Sequence, residues 1–375
     1  MTTYYVSTIG SDGNSGSSGS PWLTMSKAMA TAVAGDTVRF RDGTYSSAGG
    51  LTQTNNGTST NPITFMSDNY HGAILVSTDV AQQQAFLQFQ GNYVIFDGFI
   101  FTSPGNYIGL LMRGSNPIVQ RVFAHHIANF QVLSTGGAAI DFVSLGSNNT
   151  PINGLIDRCM IANIGGGFGS TWTFASSIEG YYVSSPQGVM SNCIAIDGPG
   201  FGFHPYHSGS NWDIHNCTAI RWANGGFVVA TDGTWVQQGS SVSNCIAYGC
   251  GYGIREYQDI SNWLGATTYT NNNVFNSVTA DWFIYANTLH FNSVTNTHVN
   301  DVAGDPQFIN YQADGSGDYR LKNTSPCIDA GIPTLTPSYG YMGTLRPQGS
   351  GYDVGAYEYV PSQANKRGGL SLIGA

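Results

Sequence analysis

The sequence predicts an all-β protein built as a single parallel β-helix, a solenoid in which each coil pairs with the coils above and below it. The first observation is a repeat: Ser-Asn-Cys-Ile-Ala at 191–195 returns at 243–247, with His-Asn-Cys-Thr-Ala at 215–219 between them. The asparagines of the three copies are 24 and 28 residues apart, a period typical of solenoids. The second observation is that apolar and polar residues alternate within each copy, which is the period of a strand.

Weaker copies extend the repeat on both sides. Asn-Asn-Val-Phe at 272–275 places Asn272 28 residues after Asn244, and Asp-Arg-Cys-Met-Ile at 157–161 puts Arg158 in the asparagine slot. A second, Gly-rich echo follows each copy, and we expect the glycines of that echo to align. Its members are Gly-Phe-Gly at 167–169, Gly-Phe-His at 202–204, Gly-Phe-Val at 226–228 and Gly-Ile-Arg at 253–255.

Four of the six cysteines occupy one slot of successive coils. A small apolar residue that recurs at an inward-facing position is typical of a core. We therefore expect a stack of free thiols inside the cylinder rather than disulfides or metal ligands. The four are Cys159, Cys193, Cys217 and Cys245.

Composition limits the possible classes of protein. Charged residues are only 9% of the 375 residues, but hydrophobic residues are 41% and aromatic residues 13%, which excludes a disordered chain. The net charge is −9 with 13 scattered basic residues, so nucleic acid is not an expected partner. No apolar run approaches the roughly 20 residues of a membrane-spanning helix.

The two ends of the chain differ from the repeat. Trp22, Met25 and Met29 recur at helical spacing, so residues 21–34 are predicted to form an amphipathic helix with Ser20 as N-cap. Such a helix would cover the open end of the first coil. Residues 1–360 are interpreted as one β-helix domain and 361–375 as a tail, and the insertions 137–152 and 170–187 as loops that border a groove.

Both ends also resemble a known family. The order YYVS…GSDGNSG…SPWLTMSKAMATAVAGDTVRFRDGTY from Tyr4 to Tyr45 resembles the amino-terminal signature of right-handed parallel β-helix proteins of the pectate-lyase-like type. The segments Gly304–Phe308, Gly317–Leu321, Ser325–Gly331 and Asp353–Glu358 resemble the carboxy-terminal pattern of that group. The resemblance implies a right-handed cylinder and a carbohydrate-active or surface role, because this fold carries lyases, hydrolases, epimerases and inert fibres.

Alignment of the coils predicts which side chains are neighbours, because equivalent positions of adjacent coils lie about 4.8 Å apart. His204, Val228 and Arg255 fall in one column, and Asp197 should pair with Arg221. The candidates for catalysis are His204, Arg221, Arg255, Glu256 and Tyr257; for substrate binding, Asp197, His207, Trp222 and Trp235; and for a Ca²⁺ ion, Asp232 and Asp259.

These residue types suit a polysaccharide lyase that acts on an acidic glycan by β-elimination. Such an enzyme neutralises a uronate carboxylate, removes the C5 proton and protonates the leaving oxygen. The lysines, Lys27, Lys322 and Lys366, lie outside the regular repeat, so a lysine base finds no match. The alternatives are a glycoside hydrolase with two carboxylates, such as Asp232 with Asp259 or Glu256, and a non-catalytic glycan-binding or structural tail protein. Met1 leads directly into a strand without a signal peptide, so either a signal has been removed or the protein leaves its cell by another route, such as assembly into a virion. We therefore expect an extracellular or virion-associated protein, with a virion or a second copy as its partner.

Overall fold

The structure is a computed structural model of the chain. It describes residues 1–80, 82–129, 136–145, 150, 152–170, 177–231, 239–258, 267–284, 298–333 and 338–361. Among these residues, no helix is long and apolar enough to cross a membrane. Residues 362–375 of the predicted tail lie outside the described residues.

The described elements are short strands and one helix. In chain order the first are β1 (Thr3–Val6), α1 (Met25–Thr31), β2 (Thr37–Phe40), β3 (Gly43–Ser47), β4 (Leu51–Gln53), β5 (Ile63–Ser67), β6 (Ala73–Ser77), β7 (Gln82–Phe89), β8 (Val94–Asp97), β9 (Ile100–Thr102), β10 (Asn106–Met112), β11 (Ile118–Gln120), β12 (Phe123–His125), β13 (Gly137–Phe142), β14 (Gly154–Asp157) and β15 (Met160–Ala162). The others are β16 (Ile178–Val183), β17 (Gly188–Ser191), β18 (Ile194–Gly198), β19 (Phe201–Pro205), β20 (Trp212–His215), β21 (Thr218–Trp222), β22 (Gly225–Thr231), β23 (Ser241–Ser243), β24 (Ile246–Tyr248), β25 (Tyr252–Gln258), β26 (Thr268–Thr270), β27 (Asn273–Phe275), β28 (Ala280–Phe283), β29 (His298–Val299), β30 (Phe308–Asn310) and β31 (Asp318–Leu321).

Three parallel sheets form the walls of a cylinder, which confirms the predicted β-helix. Each complete coil contributes one strand to each sheet, β1 and β29 extend the first sheet at its two ends, and equivalent strands of successive coils pair. The first sheet has the order β1-β2-β5-β8-β11-β14-β17-β20-β23-β26-β29, the second β3-β6-β9-β12-β15-β18-β21-β24-β27, and the third β4-β7-β10-β13-β16-β19-β22-β25-β28.

A corner of left-handed backbone joins the first sheet to the second. Asn192, Asn216 and Asn244 have φ of 53°, 52° and 51° and occupy this corner in successive coils, as predicted. Asparagine is enriched at positive φ because its side chain hydrogen-bonds locally. The next coil departs from the prediction by one residue: Asn271, not Asn272, continues the column, with φ of 54°.

The cysteine slot that follows this corner faces the core. Cys159, Cys193, Cys217 and Cys245 are buried and unpaired, which confirms the predicted thiol stack. Asn272 takes the slot in the next coil, where its Oδ1 accepts a hydrogen bond of 2.9 Å from the backbone N–H of Cys245.

The prediction that residues 137–152 and 170–187 are loops is wrong, because each contains a strand. Residues 137–152 contain β13 and residues 170–187 contain β16, and both strands are regular members of the third sheet. Tyr181 of β16 pairs with Phe203 of β19, so Gly180-Tyr181 fills the slot that the sequence interpretation gave to Gly167-Phe168. The long, uneven spacing of these coils hid both strands.

Helix α1 packs at the first coil, as a cap should, but it is shorter than predicted. It begins after Thr24, whose side chain accepts a 3.0 Å hydrogen bond from the backbone N–H of Lys27, and ends at Thr31. Ser20 is therefore not the N-cap. Trp22 precedes the helix in extended chain, is 2% exposed and stacks on Tyr4 at 4.3 Å between ring centroids.

The end of the chain does not continue the coils. The antiparallel pair β30 and β31 and the residues after it pack on the outside of the second sheet. This apolar contact unites strand residues of successive coils with residues of the terminal segment. It includes Ile194, Ile196, Ile220 and Ile246 of the sheet and Phe308, Tyr319, Leu321, Val354 and Ala356 of the segment.

We expect Trp22→Ala to lower the free energy of unfolding by about 3–5 kcal/mol, because truncation of a large buried aromatic leaves a cavity. Urea unfolding monitored by circular dichroism measures the change. Leu23→Ala is the matched control, since Leu23 is 39% exposed and should cost much less. Equal, small effects of both substitutions would contradict the capping role of this segment.

Candidate active site

The outer face of the third sheet carries a column of polar side chains. The strand register stacks Leu111, Asp141, Tyr182 and His204 on successive coils. Two further steps along the same column lead through Val228 to Arg255. Side chains at these positions point outward because the residue before each, such as Tyr181 or Phe203, packs in the core.

A cavity of about 310 Å³ opens on this face at the level of Asp141, Tyr182 and His204. Glu179, from the same strand as Tyr182, also lines it. The other lining residues are mainly aromatic or small: Tyr107, Ile108, Gly136, Gly137, Ala138, Ser177, Phe201 and Tyr206. A concave site with a few convergent ionisable groups among apolar walls is typical of a ligand-binding or catalytic site.

Glu179 and His204 contact each other inside this cavity. Glu179 Oε1 lies 3.0 Å from His204 Nδ1, and the two side chains are 10% and 2% exposed. Burial raises the pKa of Glu179 well above its usual value. Burial, with a smaller contribution from the positive charge of Arg255, lowers the pKa of His204 to about 3. Both effects favour the neutral forms, a carboxylic acid beside a neutral imidazole.

Asp141 is the second buried carboxyl group of the cavity. Burial, and then the charge of Glu179, raises its pKa well above the usual value, while Arg113 acts in the opposite direction. Within the described part of the chain, neither Asp141 Oδ1 nor Glu179 Oε2 receives a hydrogen bond, although both atoms are buried. Buried polar atoms are normally paired, so two unpaired carboxyl oxygens in one cavity point to a functional role.

Aromatic rings surround the imidazole. The ring centroid of His204 is 4.4 Å from that of Phe201, 4.9 Å from that of Tyr206 and 5.8 Å from that of Tyr182. Burial, and then the charges of Glu179 and Asp141, raises the pKa of Tyr182, so its hydroxyl keeps its proton at neutral pH. Flat aromatic faces at the mouth of a polar cavity suit the apolar faces of sugar rings.

The structure brings together part of the site that the sequence suggested. His204 lines the cavity, and the ring of His207 lies 4.1 Å from that of Tyr206. Arg255 lies in the column of His204, two coils away, as predicted. It is not among the residues that line the cavity, but its charge helps to lower the pKa of His204.

The position of Glu256 differs from the interpretation that placed it on the face of Arg255. Successive residues of a strand point to opposite faces. Arg255 points outward, so Glu256 points into the cylinder, where it is 4% exposed and its Oε1 accepts a 2.9 Å hydrogen bond from the hydroxyl of Tyr269. Glu256 belongs to the core.

Trp222 is also a core residue and not a surface for sugar. It is fully buried and packs in the main hydrophobic cluster. A Cβ at Gly198 would lie 2.1 Å from its ring, so the glycine is needed to accommodate the indole. The neighbouring Arg221 has φ of 55°, and this left-handed corner turns the next residue inward.

Asp197 and Arg221 form the predicted pair, but at the corner between the second and third sheets. Arg221 Nε lies 3.4 Å from Asp197 Oδ1. The guanidinium also lies over the ring of Phe168 at 5.1 Å, and Asp197 Oδ1 accepts a hydrogen bond from the backbone N–H of Phe168. The pair therefore fixes the chain around Phe168 next to the corner.

Four candidates lie where the structure gives no side-chain information. Asp232, Trp235 and Asp259 are outside the described residues, and of Tyr257 only the backbone is described. The described residues contain no group of three His, Cys, Asp or Glu side chains that could hold a metal ion. A Ca²⁺ site at Asp232 and Asp259 stays a prediction.

Sequence reasoning missed Asp141, Glu179, Tyr182 and Tyr107. One signal was available: Glu-Gly-Tyr-Tyr at 179–182 has the pattern of Phe-Gly-Phe-His at 201–204, which would have placed Tyr182 beside His204. Glu179 is also one of only three glutamates in the chain. The sequence interpretation places both residues in the insertion 170–187, so its alignment of coils on this face does not include β16.

Comparison with known proteins agrees with the geometry of the coils. No match was found among curated protein sequences. Two solved structures share the fold: a pectate lyase, Pel9A, is 19% identical with a TM-score of 0.60 over 96% of each chain, and a rhamnogalacturonan lyase is 15% identical with a TM-score of 0.56 over 89% of this chain and 95% of its own.

The sequence profile of the Pel9A-like, right-handed β-helix region matches residues 4–280, which is more than half of the 375 residues. The match covers the coils from β1 to the start of β28 and therefore includes every described residue of the cavity. It also gives the hand of the cylinder that the sequence predicted. The chain belongs to the Pel9A-like right-handed β-helix family.

Proposed function

We propose that this protein is a polysaccharide lyase that cleaves an acidic glycan by β-elimination in the cavity around Glu179 and His204. The observation that carries the proposal is the 3.0 Å contact between these two groups beside the unpaired carboxyl oxygen of Asp141. Membership of the family and the likeness in fold to a pectate lyase and a rhamnogalacturonan lyase support it.

Glu179 and His204 act together as the general acid. In the neutral pair, the Glu179 carboxyl donates to His204 Nδ1, which leaves the imidazole proton on Nε2. His204 gives that proton to the glycosidic oxygen as the bond to C4 breaks, while Nδ1 takes the proton of Glu179. Burial keeps the proton on Glu179 at neutral pH, so the pair enters the reaction in its acid form.

Asp141 acts as the general base. Its raised pKa makes the ionised carboxylate a stronger base than an exposed aspartate. The carboxylate removes the proton from C5 of the sugar, the C4–C5 double bond forms, and the C4–O bond breaks.

A glycoside hydrolase is the second candidate, because the carboxyl groups of Asp141 and Glu179 would also serve hydrolysis. A pair of carboxyl groups, one of them protonated, is what glycosidic hydrolysis needs. Asp141 and Glu179 come from adjacent strands, β13 and β16. In that reaction Asp141 would take the proton from water instead of from C5.

The products distinguish the two reactions. The protein should be incubated with polygalacturonate, rhamnogalacturonan, alginate and neutral glycans. A lyase gives an ultraviolet-absorbing double bond and one new reducing end for each cleavage. A hydrolase gives reducing ends that carry label from isotopic water, without the double bond. Absence of cleavage of all the glycans would contradict both reactions and would favour a glycan-binding or structural protein.

We expect Glu179→Gln to lower kcat/KM by at least about 10²-fold, because the amide cannot pass a proton to His204. Glu256→Gln is the matched comparison: it changes a buried glutamate of the same sheet that faces the core, and its amide oxygen can still accept from Tyr269. This variant should keep wild-type kinetics. Loss of activity in Glu256→Gln with full activity in Glu179→Gln would contradict the assignment of the active site to the outer face of the third sheet.

The stability of the wild type relative to Glu179→Gln should depend on pH. The pKa of Glu179 is raised on folding, so its contribution to stability is fully present below the unfolded-state value of about 4.3 and is lost as pH rises through the folded-state value. Glu179→Gln does not have this loss. At neutral pH the variant should melt about 2 °C or more above the wild type, with the difference shrinking towards pH 4. Thermal unfolding at several pH values tests this, and parallel curves would show that Glu179 ionises normally.

A further inference from the structure

We propose that Arg113 and Arg255 bind acid groups of the glycan on the two sides of the cavity and so select a substrate with several acidic sugars. The inference rests on the proposed function only in taking the glycan to lie along the third sheet. Neither arginine contributes to the acid–base step. Their proposed role is in substrate binding and specificity.

Arg255 lies on one side of the cavity. It shares the outward column of His204 across Val228, so the two backbones are two coil steps, or about 10 Å, apart. Its guanidinium carbon lies 4.7 Å from the ring centre of Tyr252 and 5.9 Å from that of Phe283. Stacking on aromatic faces orients the planar guanidinium and suits it to bidentate binding of a carboxylate.

Arg113 lies on the opposite side. It directly follows β10 and stands two residues after Leu111, which is one coil step from Asp141 in the column, so it points to the same face. Burial raises the pKa of both Asp141 and Tyr107, two residues that line the cavity, and the charge of Arg113 acts in the opposite direction on each. Within the described residues, its Nε is buried without a hydrogen-bond partner. Such an atom has a donor available for a ligand.

The spacing of the two arginines indicates the class of substrate. Strands β10, β13, β16, β19, β22 and β25 are consecutive, so five coil steps, or about 24 Å, separate the coils of Arg113 and Arg255. We take the glycan to lie along the cylinder axis with one sugar for each coil spacing of about 4.8 Å. Simultaneous contact with both arginines therefore requires a chain of about six sugars with acid groups near both ends.

The cavity itself tolerates such a chain. Asp141 and Glu179 lie between the arginines, and two fixed negative charges there would repel an acidic glycan. Their environment disfavours double ionisation, because the charge of Glu179 raises the pKa of Asp141. A nearly neutral centre with a cation on each side is complementary to a polyanion that is cleaved in the middle.

The test compares Arg113→Gln and Arg255→Gln with the wild type on a polyuronate and on its methyl-esterified form. On the acidic glycan, each variant should raise KM at least about 10-fold and change kcat less than about 3-fold, because only substrate binding is lost. On the ester, the variants and the wild type should agree. Arg39→Gln is the control for loss of one positive charge, since Arg39 pairs with Asp68 on the first sheet.

Arg113→Lys and Arg255→Lys keep the positive charge and replace a glutamine variant that does not fold. Their KM on the acidic glycan should lie between the values of the wild type and the glutamine variants. The inference would be overturned by an active wild type whose variants keep KM within about 2-fold on the acidic glycan, and the proposed function would then stand. Failure of the wild type to cleave any glycan would end the proposed function. Binding of oligouronides, measured by calorimetry, would then decide the inference: dependence on both arginines upholds it, and independence or no binding rejects it.

Discussion

The left-handed corner between the first and second sheets sets the register on which the rest of the molecule depends. In six successive coils the backbone at this corner takes positive φ, at Arg121, Arg158, Asn192, Asn216, Asn244 and Asn271. The corner directs the next residue into the core, and the period of two then fixes the face of each later strand residue. A shift of one residue would turn the thiol stack outward and the polar column of the third sheet inward.

The candidate site uses this register to hold groups that are unfavourable by themselves. Two buried carboxyl groups with unpaired oxygens lower stability, and only a rigid support keeps them in place. The support is the aromatic stack directly beneath: Tyr181, Phe203 and Phe227 lie at 4.7 Å between successive ring centroids. Each stacked ring precedes an outward residue of the column, so the core packing positions Tyr182 and His204.

Sequence reasoning succeeded where neighbouring coils are alike. The asparagine and cysteine columns, and the alignment of His204 with Arg255, follow from repeats of nearly constant length. It failed for Asp141 and Glu179, because their coils carry long connections that obscure the period. The errors for Glu256 and Trp222 have another cause: a column alignment gives the neighbours of a residue, but the face requires the parity of the strand and the turn that precedes it.

The terminal segment gives the corner asparagines a second role. Asn244 Nδ2 donates to the carbonyl of Ile332 and its Oδ1 accepts from the N–H of Ile332, while Asn216 donates to the carbonyl of Asp353. These bonds span 88 and 137 residues of sequence. Contacts so distant form late, because the chain must close a long loop first.

This arrangement has a consequence for biosynthesis. Until the segment from Phe308 to Ala356 has left the ribosome, the amides of Asn216 and Asn244 lack their partners, and the outer side of the second sheet exposes Ile194, Ile220 and Ile246. An apolar sheet surface of that kind is prone to aggregate during synthesis. The terminal segment that carries Phe308, Tyr319, Leu321, Val354 and Ala356 therefore covers the nascent cylinder last, and a chain that stops at residue 300, after β29, should require a chaperone to stay soluble.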